Sequence, residues 1–210
     1  MIDKIAAAAG ALGLEITQAQ ATQLQQYLEL LQRWNTTYNL TAIRDPQAML
    51  DQHVADCLAC IQPLQRLGAP ARVMDVGSGG GLPAVVIAVM LPACDVTAVD
   101  AVGKKMAFVR QVAGTLGLKN LHGVHSRVED LKAPPFDLII SRAFASLADF
   151  VRLTPHLLRS GGAWVAMKGR MPDDELRALP AAIDVFHVEQ LAVPGLEAQR
   201  CLVWMRPRAD

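Results

Sequence analysis

The stretch Val73-Met-Asp75-Val-Gly77-Ser-Gly79-Gly80-Gly81-Leu-Pro83 constrains this chain more than any other. An apolar strand ends at Asp75, four glycines follow within five positions, and a helical pattern begins at Leu82. Backbone free of Cβ atoms lets a ligand approach closely, and each glycine weakens the fold, so four together need a reason. The competing reading is a strand-to-helix turn that binds nothing. Downstream, strand patterns at residues 72–76, 95–100, 121–125, 136–141 and 163–168 alternate with helical patterns at 82–91, 103–116 and 147–158. A short helix near 173–179 and two last strands near 185–191 and 201–205 complete the chain. Such alternation implies an α/β fold with a doubly wound, mostly parallel sheet. Ligands of these sheets lie outside the carboxyl ends of the strands, near a topological switch point.

The loop fits neither diphosphate-binding pattern. A dinucleotide fingerprint would need a glycine where Leu82 stands, and no Lys-Ser or Lys-Thr follows for a phosphate-binding loop. The spacing is instead G-x-G-x-G, from Gly77 through Gly79 to Gly81. It looks like the first motif of class I methyltransferases, in which the loop packs against the methionine part of the cofactor. Asp100 closes the next strand, about 25 residues after Asp75, where a carboxylate can accept hydrogen bonds from both ribose hydroxyls. Its competing role is to cap the helix that carries Lys104 and Lys105. Ser126-Arg127-Val128-Glu129 follows the third strand, at the place that flanks the adenine in class I methyltransferases.

The first part of the chain, to about Gln65, reads as helical. Thr17 caps a helix running to about Thr36, with Leu24, Leu28, Leu31 and Trp34 near helical period. Asn35 to Thr41 is a polar break, and Asp45-Pro46 starts another helix, with Asp45 as N-cap and Pro46 at its first position. Gly68-Ala-Pro70 is a linker. Cys57 and Cys60 form a single C-x-x-C among apolar neighbours, which points to buried thiols rather than a metal site. No apolar run is long enough for a membrane span, and the N-terminus lacks a signal-peptide layout, so the expected compartment is the cytoplasm. Twenty Lys+Arg balance twenty Asp+Glu. That excludes a grip on nucleic acid through bulk charge and leaves any such docking to a local patch.

With these motifs placed, the chain resembles the RsmG family of bacterial 16S rRNA guanine-N7 methyltransferases, also called glucose-inhibited division protein B. The resemblance covers nearly the whole chain. It is carried by Asn39-Leu-Thr41-Ala-Ile43-Arg-Asp45 with His53 and Asp56, by Asp75 to Pro83, by Gly103-Lys104-Lys105, by Ser126 to Glu129 and by Lys168-Gly169. The most telling segment is Phe136-Asp-Leu-Ile-Ile-Ser141-Arg142-Ala143-Phe144-Ala145-Ser146. The resemblance implies a class I S-adenosylmethionine-dependent methyltransferase with a Rossmann-like sheet. It implies an N-terminal helical extension over residues 1–66 and a methyltransferase domain over 67–210. It further implies methylation of N7 of one guanine in the 530 loop of 16S rRNA, on the small ribosomal subunit or its precursor; a monomer without metal is expected. The cofactor contacts expected from motif and resemblance are Asp75, Gly77, Gly79, Gly81, Leu82, Asp100, Val128, Glu129 and Arg142. Cys57 departs from the serine expected after Asp56, and Ser78 and Gly80 occupy positions where the family varies.

The chemistry agrees. Methyl transfer from a sulfonium is an in-line displacement that chiefly needs alignment and exclusion of water. Guanine N7 already carries a lone pair, so a general base is dispensable, and Ser141-Arg142-Ala143 offers none. Arg142 is the candidate catalytic residue: it can contact the cofactor, stack on a base or hold a phosphate, since arginine is planar and always charged. A cation beside N7 would oppose the charge developing on the base, which favours cofactor or phosphate. The competing reading pairs it with Asp149 at the surface. Candidate RNA contacts are Arg44, Lys104, Lys105, Arg110, Lys168 and Arg170, and Phe144 is either a stacking surface or core. His53 and Asp56 either lie over the cofactor cleft or tie the extension to the main domain. The rival functions are methylation of a small metabolite and a non-catalytic Rossmann-type binding module.

Overall fold

A computed structural model describes residues 1–66, 68, 70–142, 144 and 146–208. Leu67, at the expected domain boundary, Ala69 of the linker, and Ala143 and Ala145 of the Ser-Arg-Ala-Phe-Ala-Ser segment lie outside the described residues. Seven strands form one sheet: β1 (Arg72–Val76), β2 (Asp95–Asp100), β3 (Leu121–His125), β4 (Phe136–Ser141), β5 (Leu158–Lys168), β6 (Ile183–Leu191) and β7 (Arg200–Pro207). Their order is β3-β2-β1-β4-β5-β7-β6. The first five are parallel, and β7 runs antiparallel between β5 and β6. The chain winds outward from β1 to β3 and returns to β4 on the other side of β1, so the switch point lies between β1 and β4.

The extension is α1 (Ile2–Ala11), α2 (Gln18–Tyr38), α3 (Pro46–Met49), a π-helical turn (Leu50–Ala55), α4 (Asp56–Leu58) and α5 (Ile61–Arg66). Thr17 starts α2 through a capping box: its hydroxyl accepts the Gln20 N–H, and the Gln20 side chain accepts the Thr17 N–H. Asp45 accepts the Ala48 N–H, with Pro46 at the first helical position as expected. The polar break begins later than the sequence suggests. Asn35 stays helical and buried, and α2 ends only at Asn39, in the left-handed conformation. The Asn35 side chain reaches forward instead: Oδ1 accepts the Thr41 N–H at 2.9 Å and Nδ2 donates to Ile43 O, folding the following loop back.

The remaining helices are α6 (Ala84–Met90), α7 (Gly103–Leu116), α8 (Leu147–Leu153) and α9 (Asp173–Arg177). The helix expected to reach Leu158 stops at Leu153. Proline disfavours helical backbone before itself, so Pro155 turns the chain into a short 3-10 segment. The freed Thr154 hydroxyl donates to Phe150 O and accepts from Trp164 Nε1, which fixes the exit into β5. Side chains alternate across the sheet. Val73, Val96, Leu138 and Ile140 join one apolar cluster with the extension, α6 and α7, while Met74, Val99, Ile139 and Trp164 join a second with α8. The extension therefore shares its core with one face of the sheet. No helix among the described residues is long and apolar enough to cross a membrane.

Candidate functional site

The glycine loop is held from below, behind and beside. Asp75 is fully buried beneath it; Oδ2 accepts from the Ser78 hydroxyl at 2.6 Å and the Ala84 N–H at 3.1 Å, while Oδ1 has no partner among the described residues. Burial pushes this carboxyl up to about 6. The Asp75 side chain thus fixes the loop to the start of α6. Gly77 and Ser78 donate their N–H groups to Val99 O. Gly81 adopts φ +87°, and a Cβ there would stand 2.8 Å from Val85 Cγ2 and 3.2 Å from Val109 Cγ2, so α6 and α7 leave no room for a side chain. Around Gly77 and Gly79, by contrast, a Cβ would meet open space or only Gly77 O at 3.9 Å. The loop turns two glycines toward open space and packs Gly81 against α6 and α7.

Asp100 stands beside this opening, 8% exposed. Its Oδ2 accepts the Gly79 N–H at 3.0 Å, and Oδ1 accepts the Val102 N–H at 2.9 Å, at the N-terminus of α7. The carboxylate supports the helix start, the role weighed against a cofactor contact, and also holds the loop. Ser126 bonds Asp100 O and leads into a 3-10 turn at Val128–Asp130, with Val128 buried and Glu129 exposed. An open glycine surface, one carboxylate bonded to it and a second acidic turn following Asp100's partner Ser126 suit a cofactor with ribose hydroxyls, an exocyclic amine and a positive sulfur. The orphaned buried Oδ1 of Asp75 adds negative potential from below.

A second constellation lies at the carboxyl ends of β4 and β5. A cavity of about 280 Å³ is lined by Gln52, His53 and Asp56 of the extension, Arg142 after β4, Met167, Lys168 and Gly169 at the end of β5, and Arg200 at the start of β7. Asp56, 3% exposed, sits between two arginines: Arg200 Nε donates to Oδ1 at 2.8 Å and Arg142 Nη1 lies 3.6 Å from Oδ2. Arg142 also donates to Gln52 O at 3.2 Å. The π-helical turn delivers these groups, since it contains Gln52 and His53 and ends at Asp56. His53 Nε2 lies 2.8 Å from the Thr41 hydroxyl, which accepts the Ile43 N–H. The Asn-Leu-Thr segment therefore supplies the helix cap at Asn39 and the hydroxyl that orients His53. Asp56 ties the extension to the main domain through Arg142 and Arg200, and both it and His53 line this cavity, which contains no residue of the glycine loop.

Arg142 is not paired with Asp149, which binds Arg152 instead. Of the RNA candidates, Lys104 and Arg170 are exposed, and Arg44 is exposed on the loop whose Thr41 meets His53. Lys105 leans toward Asp100 at 3.5 Å. Lys168 is held by both oxygens of Glu175 at 3.0 and 2.8 Å, and Arg110 donates to Gly123 O at the sheet. Phe144 packs 5.5 Å from Phe150, on the core side of its alternatives. Cys57 and Cys60 are free and fully buried, and burial pushes both thiols up. Sequence reasoning missed Arg200, Gln52 and Tyr27. Arg200 becomes a site residue only because β7 runs back against β5, pairing Cys201 with Lys168.

Burial, then the nearby Arg142 cation, lowers His53 to about 4. Its unfolded value is near 6.5, so the unfolded chain takes up this proton first, and stability from this group falls as pH drops from about 6.5 toward 4. The size is about 3 kcal/mol. Asp75 acts in the opposite sense: its raised value lets the folded state hold a proton more tightly, so acidification from about 6 stabilises. Replacing His53→Gln removes only the first effect. Urea midpoints are expected to show this variant gaining on the wild-type chain as pH is lowered from 6.5 to 4.5. A difference that does not change with pH would mean that His53 is not held neutral.

Comparison with known proteins follows the same lines. The family model for rRNA small subunit methyltransferase G matches residues 20–203. The chain is 56% identical over 211 residues to the ribosomal RNA small subunit methyltransferase G of Acidovorax sp. (strain JS42), covering 96% of this chain and 93% of that one. It is 58% identical over 209 residues to the protein of the same name from Leptothrix cholodnii, covering 99% and 96%. Among solved structures, the N-methyltransferase NodS from Bradyrhizobium japonicum, in complex with S-adenosyl-L-homocysteine, has a similar fold. Its TM-score is 0.57 at 16% identity, over 80% of this chain and 94% of that one.

Proposed function

The chain belongs to the rRNA small subunit methyltransferase G family, and we propose that its two adjoining sites transfer a methyl group to N7 of one guanine in the 530 loop of 16S rRNA. It is an S-adenosylmethionine-dependent rRNA methyltransferase. The glycine loop, Asp100 and the Val128–Glu129 turn are the cofactor-holding residues in this reading, with Asp75 acting beneath the loop. When bound, the cofactor supplies an electrophilic methyl group on a positively charged sulfur. The cavity beside Arg142 receives the RNA, and Arg142, Arg200 and Lys168 give it a cationic wall for phosphate.

One observation carries the choice of acceptor: among the described residues, no side chain of this cavity stands free to take a proton from the substrate. Asp56 is held between two arginines, and His53 is neutral with a value of about 4, far below an effective base at neutral pH. Such a cleft suits an atom that attacks without first losing a proton, as guanine N7 does. An exocyclic amine or a hydroxyl would need more help. The zero net charge supports the assembled small subunit over free RNA as substrate, because other surfaces must then present the loop.

The test is transfer of labelled methyl from S-adenosylmethionine to small subunits from a strain lacking this enzyme, followed by mapping of the modified base. One N7-methylguanine in the 530 loop is the expected result. Label elsewhere, or none despite cofactor binding, would overturn the assignment of the acceptor. Equal rates on protein-free rRNA would overturn the preference for the subunit.

A further inference from the structure

The glycine loop is gripped from behind by a residue of the extension. Tyr27 of α2 is fully buried, and its hydroxyl donates to Gly80 O at 2.8 Å. Leu31, one turn further along the same helical face, lies 3.3 Å from where a Cβ on Gly80 would stand. Gly80 thus lets α2 come close, and Tyr27 uses that approach. The Tyr27 ring is set by Phe108 of α7, with centroids 6.2 Å apart. Burial raises the phenol above its ordinary value and keeps it a donor. Other contacts of α2 anchor it elsewhere: Gln20 donates to Val89 O and Gln23 to Leu116 O, neither in the loop.

Elsewhere in the loop, the Ser78 hydroxyl donates to Asp75, Gly81 O accepts the Val85 N–H, and several loop N–H groups donate. Those N–H bonds run to Val99 O, to Ser78 O and, from Gly79, to Asp100. Tyr27 holds the next residue's carbonyl from the opposite side. A glycine-rich loop has much conformational freedom to lose when a ligand orders it. A contact that restrains the loop beforehand removes part of that cost and raises affinity.

We propose that Tyr27 is a positioning residue for methyl transfer: through Gly80 the N-terminal extension pre-forms the cofactor loop and so sets cofactor affinity. This rests on the reading of Gly77–Gly81 as the cofactor loop. It gives the extension a role in cofactor capture besides the walling of the RNA cavity by His53 and Asp56.

The test compares Tyr27→Phe, which keeps the ring, with Gln23→Ala, which removes a different α2 hydrogen bond away from the loop. Titration calorimetry with S-adenosylhomocysteine, urea midpoints and steady-state kinetics on unmodified small subunits are measured for each. Loss of one hydrogen bond of about 1–1.4 kcal/mol corresponds to about five- to tenfold weaker binding. Tyr27→Phe is expected to show that weakening, with KM for S-adenosylmethionine raised in step and kcat at saturating cofactor within about twofold of wild type. Gln23→Ala is expected to lose folding stability while binding S-adenosylhomocysteine as tightly as wild type. Wild-type affinity in Tyr27→Phe would overturn the proposal, and so would equal weakening in Gln23→Ala. Failure of the wild-type chain itself to bind S-adenosylhomocysteine would overturn the cofactor-loop reading instead.

Discussion

An Asp100→Ala variant is expected to bind S-adenosylmethionine at least about 100-fold more weakly than the wild-type chain. Two effects add. The first is loss of the two charge-assisted bonds proposed between Asp100 and the ribose hydroxyls, each worth about 1.5–3 kcal/mol. The second is local: the same carboxylate accepts the Gly79 N–H and the Val102 N–H, so its removal loosens the loop and the start of α7 together. Lys105, 3.5 Å away, would also be left without its partner. Asp100→Asn separates these effects, because the amide keeps one acceptor and turns a donor toward the other site. An intermediate loss is expected there. Calorimetric titration with S-adenosylhomocysteine reads both variants directly. An alanine variant within about threefold of wild type would end the assignment of Asp100 to the cofactor and leave it as a helix-start residue only.

Asp100 shows which part of the site a sequence displays openly. Its role depends on a strand end, and the strands of a parallel sheet buried on both faces appear as apolar runs with sharp ends. Residues 72–76, 95–100, 121–125 and 136–141 are strands in the structure with those bounds. The starts of α2 and α3 were equally visible, since Thr17 and Asp45 cap through contacts three residues away. What stayed hidden depends on distant pairing. Asp56 meets Arg142 and Arg200, 86 and 144 residues further along the chain, only because β4 and β7 bring them to one edge. Nothing local marks β7 as the strand that inserts antiparallel between β5 and β6. Tyr27 was hidden for another reason. It stands on an amphipathic helix, where nothing in the sequence separates it from core, and a phenol that reaches a glycine carbonyl leaves no periodic trace. Lys168 shows the converse: visible as a charge at a strand end, it is largely engaged by Glu175.

The geometry around Arg142 leads to the other large expected effect. Arg142→Ala is expected to lower kcat/KM on small subunits by at least about 100-fold, or about 2.7 kcal/mol of transition-state stabilisation. The fold should survive. Removing one partner of a buried ion pair is costly when the other charge is stranded, but Asp56 keeps its 2.8 Å contact with Arg200. A loss of about 1–2 kcal/mol in urea unfolding is therefore expected rather than collapse. Arg142→Lys tests whether charge alone suffices. The contacts with Gln52 O and Asp56 are both made by Nη1, so what an ammonium lacks is the planar guanidinium's other nitrogens, and it is expected to recover less than about a tenth of the activity. The partition between binding and turnover then separates the two favoured roles. Arg142 lies in the wall shared by His53, Asp56 and Arg200, whereas Asp100, at the end of β2, holds the glycine loop. Affinity for S-adenosylhomocysteine should accordingly change by less than about threefold while turnover falls. If affinity instead falls as far as turnover, Arg142 holds the cofactor, and the phosphate-binding task passes to Arg200 and Lys168.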